Sequence, residues 1–142
     1  NIGKKIFARH CVNCHKQSFI PNGTTQKVAN NGLSVVYKDK GVGARTSLVE
    51  DNGKFKIPAL KNIELTAPYM HDGRFATLEE VVAFYNNEIQ AHPNLDPKLI
   101  AHGEPKRLNL TAEEQAGLAA FLKSLTDEVL LKDERFSDPF IQ

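Results

Sequence analysis

Both cysteines of this chain lie in one pentapeptide, Cys11-Val12-Asn13-Cys14-His15, and none is left elsewhere. That excludes a disulfide framework and a four-cysteine zinc site, and it makes the two thiols act as a pair. Cysteines three apart on a helical turn project the same way, and the next residue brings an imidazole beside them. A thioredoxin-type redox pair would need a βαβ setting, which this sequence lacks. A zinc finger fails for want of a second ligand pair at finger spacing. What remains is the Cys-x-x-Cys-His attachment signature. Both thiols would reach the vinyl groups of one covalently bound haem c, and His15 would be carried under the iron as a ligand.

A haem also answers a folding problem. Residues 17–56 hold most of the glycines and several Asn and Asp residues, so they read as loops with a short β-ribbon near Ser34–Tyr37. A loop region this long needs an organiser, and the flat apolar surface of a haem can serve as missing core. Helix signals are few but clear. Gly3 to Cys14 begins a short helix with Ile6, Phe7 and Val12 facing a core. Thr77-Leu78-Glu79-Glu80 and Thr111-Ala112-Glu113-Glu114 are capping boxes. The first opens a helix with Leu78, Val81, Val82 and Tyr85 on one face; the second opens one with Leu118, Phe121, Leu122 and Leu125 as its buried stripe. The tail from Thr126 is charged and ends in Phe136, Pro139 and Phe140, expected to pack back onto the surface.

With 142 residues, 41% hydrophobic and 25% charged, the chain suits one globular domain over residues 1–142, with no interior boundary. A net charge of +1 argues against a nucleic-acid partner. No apolar run approaches a membrane span. No basic-then-apolar segment opens at Asn1, so a mature product or a fragment is expected.

Larger motifs carry a resemblance. Gly3-Lys4-Lys5-Ile6-Phe7 looks like the first helix of small c-type cytochromes, where that helix crosses the last at a glycine-sized contact; the Thr111 helix would be its partner. Asn31-Gly32-Leu33, Tyr37 to Gly41, Lys56 to Ile63, Thr66 to Gly73, Thr77 to Val82 and the tail Asp133 to Phe140 together resemble the bacterial di-haem cytochrome c peroxidase family. They are similar also to its branch that matures the quinone of methylamine dehydrogenase. The resemblance implies an all-α cytochrome c-like domain, specifically the second, electron-transfer domain of a two-domain enzyme. The first domain, with the haem where peroxide reacts, is not matched, and the tryptophan placed between the haems has no counterpart, because the chain contains no Trp. Implied partners are that first haem domain, a small periplasmic electron donor and a second copy of the parent protein. Implied localisation is periplasmic or otherwise extracytoplasmic.

The sixth iron ligand stays open at this level. From the residues alone Met70, the one methionine, is favoured, since His/Met ligation is common in cytochromes c. A lone Met is also ordinary core filler, and a Tyr on an apolar helix face is ordinarily a packed ring. In the resembled peroxidases the ligating methionine lies fourteen residues past the histidine of the Pro-Tyr-x-His-Asp-Gly motif. Fourteen past His71 is Tyr85, and the quinone-maturing branch uses tyrosine there, so the resemblance favours Tyr85. It casts His71 as support for the haem environment, with Asp72 and Gly73 fixing the turn. Arg74 would either help lower the Tyr85 pKa or stand solvated at the surface. His10, His92 and His102 read as surface histidines. The resemblance further implies calcium on the backbone carbonyls of Thr66 and Pro68, a weak set for an ion that takes six to eight oxygens, so that site is expected empty or loosely held. The functional expectation is electron transfer within a peroxidase-like oxidoreductase; the alternative is a stand-alone His/Met electron carrier.

Overall fold

Helix α1 (Ile2–His10) buries Gly3, Ile6 and Phe7 along one stripe, and Arg9 and His10 close its last turn, where cationic groups suit the helix dipole. The computed structural model describes residues 2–16, 27–137 and 140. After a break at Cys11, α2 (Val12–His15) resumes the helical path. The other long helix, α5 (Ala112–Lys123), starts at Thr111, whose hydroxyl accepts from the Glu114 N–H while the Glu114 carboxylate accepts from the Thr111 N–H. It buries Leu118, Ala119 and Leu122, with Phe121 and Leu125 partly covered beside them.

The two helices cross at small residues, as expected. A Cβ on Gly3 would overlap the carbonyl oxygen of Gly117, and one on Gly117 would overlap the Ile2 side chain. The Phe7 and Phe121 rings meet nearby at 5.1 Å. Helix α4 (Leu78–Ala83) opens on the second capping box, Thr77 with Glu80. It is tied to the end of α5 by an ion pair of 2.8 Å between Lys123 and Glu79. Leu78 and Val82 join Ile6, Phe7, Leu60, Tyr69, Leu118, Ala119 and Leu122 in the main core.

The α-helical pattern does not run on to Tyr85. A wider π-helical turn, Phe84–Glu88, follows α4, and such turns recur at functional sites. It swings Phe84 and Tyr85 onto a second core of Leu33, Phe84, Ile89 and Leu95, with Tyr37, Met70 and Phe75 packed against it. Tyr85 therefore does not share the face of Leu78 and Val82. Behind it, the buried Asn86 amide donates to the Leu110 carbonyl (3.2 Å) and accepts from the Leu110 N–H (2.7 Å), so the turn is pinned to the lead-in of α5.

The remaining elements are short: α3 (Val42–Thr46), α6 (Glu128–Leu131), and two antiparallel ribbons. Strand β1 (Val28–Ala29) pairs β2 (Phe55–Lys56), Val28 opposite Lys56. Strand β3 (Ile100–Ala101) pairs β4 (Glu104–Pro105) around His102 and Gly103, both at positive φ (53° and 83°), as a two-residue hairpin turn requires. The ribbon predicted near Ser34–Tyr37 is thus displaced: Ser34–Tyr37 is not a strand, and Tyr37 instead turns its hydroxyl back to accept the Leu33 N–H at 2.9 Å. The tail also departs from expectation, since Phe136 and Phe140 are exposed at 68% and 88%; Pro139 lies outside the described residues.

Candidate haem site

Within the turn from α1 to α2, the N–H groups of Cys14 and His15 both donate to the Cys11 carbonyl, at 3.1 and 3.0 Å. This places the two thiols and the imidazole on consecutive helical turns. Burial pushes the Cys11 thiol up to about 11 and raises Cys14 as well, so both are protonated, unpaired thiols. The His15 ring shares a 3.0 Å contact between Nδ1 and the Pro58 carbonyl oxygen. An acceptor there requires Nδ1–H as donor, which leaves the Nε2 lone pair for a metal; this is how ligating histidines are commonly oriented. Burial lowers the His15 pKa, partly opposed by that hydrogen bond, so the ring is neutral, as a ligand must be.

Tyr85 and Met70 come together, although they reach the site from different elements. The Asn31 side-chain N–H lies 3.2 Å from the Tyr85 hydroxyl oxygen and 3.6 Å from the Met70 sulfur. Burial pushes the Tyr85 phenol up to about 12 against the opposing Asn31 bond, and both thiols, Cys11 and Cys14, push it further in the same direction. Tyr85 is therefore within electrostatic reach of Cys11 and Cys14, and a phenolate there at neutral pH needs an adjacent cation. Met70 sits at φ 72°, a left-handed conformation that costs an L-residue about 1–2 kcal/mol. The loop around it is closed by the Tyr69–Phe75 bridge.

The neighbours of this group have other duties. The His71 ring is exposed and stacks on Phe55 at 3.8 Å and 13°. Arg74 does not bear on Tyr85, nor is it merely solvated. It grips the Asp72 carboxylate (2.6 Å), the Leu33 carbonyl (2.9 Å) and the Ser34 hydroxyl (3.1 Å), tying the Met70 loop to the Leu33 segment. Thr66 and Pro68 lie exposed on the loop before Tyr69, and no trio of His, Cys, Asp or Glu fit to hold a metal ion occurs among the described residues.

Two of the histidines read as surface residues are built in. His92 Nδ1 accepts from the Asn94 N–H (3.0 Å) and lies 3.2 Å from the fully buried Asn30 amide. His10 Nδ1 is buried with no hydrogen-bond partner. Asn30, Asn31 and Asn86 were beyond sequence reasoning as site residues: an asparagine carries no hydrophobic signal, and its partners lie far along the chain. The one available cue was the Asn31-Gly32-Leu33 motif.

The donors fit a haem c: paired thiols, a neutral imidazole with its outer nitrogen occupied, and an oxygen and a sulfur gathered beside the apolar second core. The comparisons agree. The Cytochrome c family profile matches residues 1–126. "Cytochrome-c peroxidase IdrP1" of Denitromonas iodatirespirans is 38% identical over 84% of this chain and 30% of its own length. "Methylamine utilization protein MauG" of Paracoccus denitrificans is 36% identical over 82% of this chain and 35% of its own length. A crystal structure described as a MauG-like protein associated with microbial copper homeostasis superposes with a TM-score of 0.78 at 34% identity, covering 99% of this chain and 50% of that one. The chain thus spans about a third of those two relatives and half of the solved protein. It belongs to the cytochrome c family, among relatives that are cytochrome c peroxidases and MauG proteins, and its function is haem c binding and electron transfer.

Proposed function

We propose that this chain is the electron-delivering domain of a di-haem, peroxidase-like oxidoreductase, with Cys11 and Cys14 attaching one haem, His15 ligating its iron and Tyr85 closing the opposite face. The observation that carries the ligand assignment is the Tyr85 hydroxyl, hydrogen-bonded by Asn31 at 3.2 Å and within electrostatic reach of both attachment thiols. Attachment adds each S–H across a vinyl group: sulfur bonds one carbon, the hydrogen goes to the other, and no oxidant is consumed. When bound, the haem supplies a reversible ferric–ferrous couple. The protein holds the His15 imidazole through Pro58, and the apolar side chains around Tyr85 and Met70 would shield a bound haem from water and substrate.

Lys27, Lys98 and Lys106 favour negative charge at Cys14, outnumbering the opposing Asp96, and Lys106 does so at Cys11 too. A positive rim suits an acidic electron donor, which we place in the periplasm, where haem and free thiols meet. The recipient would be a first haem domain, in a parent protein able to dimerise. Calcium at Thr66 and Pro68 would need most of its oxygens from outside this chain. Among the described residues no helix is long and apolar enough to cross a membrane.

A second reading, a lone electron carrier with His15 and Met70 as ligands, draws on the 3.6 Å approach of the Met70 sulfur to the same Asn31 amide. Tyr85→Phe separates the two. Under the tyrosine assignment the ferric absorption spectrum changes and the reduction potential rises, because a hard anionic donor is lost. An unchanged spectrum overturns the assignment.

A further inference from the structure

We infer that Asn31 is the positioning residue of the ligand face: its amide N–H holds the Tyr85 oxygen and sets how strongly that oxygen favours ferric iron. The inference rests on the proposed Tyr85 ligation and extends it to a residue that makes no bond to iron.

Asn30 and Asn31 are neighbours in sequence, yet their side chains meet different partners. Asn30 turns inward, where its carbonyl oxygen accepts from the Gly32 N–H (2.8 Å) and the Tyr37 hydroxyl (3.3 Å) and its amide meets His92. Its own backbone carbonyl accepts from Asp96 at 3.0 Å. Gly32, at φ 71°, is pressed so close to Ile89 and Gln90 that a Cβ would overlap both, and its carbonyl accepts from the Gln90 N–H at 2.8 Å. Asn31 is thus carried on a strut fastened on either side, and its side chain is delivered to Tyr85 and Met70. Tyr85 is carried just as firmly, because the next residue is Asn86, locked to Leu110. Two rigid supports hold a 3.2 Å N–H···O contact, within the range of a good hydrogen bond.

The chemistry follows from which acceptor profits. A thioether is a weak acceptor and a phenolate a strong one, so the amide serves the Tyr85 oxygen first. Once iron gains an electron, a ligating phenolate keeps more negative charge on its oxygen. A donor at that oxygen therefore favours the ferrous state, and removing it favours the ferric one.

Asn31→Leu keeps the side chain's shape and deletes the donor. Spectroelectrochemistry of the haem-loaded protein should show the ferric-to-ferrous ratio at a fixed applied potential rising about tenfold, the order expected for a hydrogen bond to a charged group. In a Tyr85→Phe background the same substitution should leave the ratio within about twofold, since the acceptor has gone. Asn31→Ala, which also lacks the donor and adds no charge, should shift the ratio the same way and serves if the leucine variant does not fold. An equal shift in both backgrounds would mean that Asn31 acts only on packing, and no shift in the parent would mean that the bond does not tune the haem; either result overturns the inference. If Tyr85→Phe alone leaves the ferric spectrum unchanged, the ligand assignment falls and this inference with it, which distinguishes that failure from the other two.

Discussion

Asn86 shows how much of this site depends on a single buried amide. It is 4% exposed, and it satisfies both backbone groups of Leu110 while its own carbonyl takes the Leu108 N–H at 2.8 Å. Asn86→Ala would leave the Leu110 N–H and C=O without those partners and let the turn bearing Tyr85 loosen. Both bonds have half-buried partners, and the Leu110 carbonyl keeps the Gln115 amide at 3.1 Å, so their loss should destabilise the protein by about 1–3 kcal/mol, read from the denaturation midpoint. A loss below about 0.5 kcal/mol would contradict this account of the turn. At this scale the sequence was legible where the chemistry is local. The capping boxes at Thr77 and Thr111 and the Cys11–His15 motif are written in adjacent residues. Asn31 and Asn86 find their partners dozens of residues away, and nothing in their neighbourhood announces those partners.

Among the elements, the crossing of α1 and α5 organises the main core. It was legible through the resemblance of Gly3 to Phe7 to the first helix of small c-type cytochromes, while its partner glycine, Gly117, emerges from the structure alone. Gly3→Val should force the helices apart and destabilise the protein by about 3 kcal/mol, at the upper end of overpacking penalties, despite any gain in helix propensity. An unchanged unfolding midpoint would argue that the helices do not meet there. The helix at Tyr85 was read with the wrong period. Leu78, Val82 and Tyr85 fit one α-helical face on paper, yet the π-helical turn from Phe84 to Glu88 rotates Tyr85 away from Leu78 and towards Leu33 and Met70. One inserted residue of helical phase moves a side chain from one core to another, and hydrophobic periodicity does not register it. The misplaced ribbon has a similar origin: Ser34–Tyr37 has β-favouring residues, but the tyrosine hydroxyl answers the local backbone in place of a partner strand.

At the scale of the whole molecule, the described residues form two apolar clusters, one built on helices α1, α4 and α5 and the other on loops, with Phe75 packed against both. Cys11, of the Cys-x-x-Cys-His motif, borders the first and the candidate ligands Tyr85 and Met70 border the second, which is the arrangement expected of a chain folded around a flat cofactor. The cytochrome c fold was legible from one pentapeptide, a long loop region that needed a core, and the resemblance carried by the longer motifs. Which side chain completes the iron was not, because oxygen and sulfur are both delivered to the same amide. The near-infrared charge-transfer spectrum of the ferric haem-loaded protein tests this most directly. With Tyr85 as the ligand, the spectrum should show no methionine–iron(III) band and retained six-coordinate iron, with the band still absent when Met70 is replaced by Leu. A methionine–iron(III) band in the parent, lost in Met70→Leu, would contradict it.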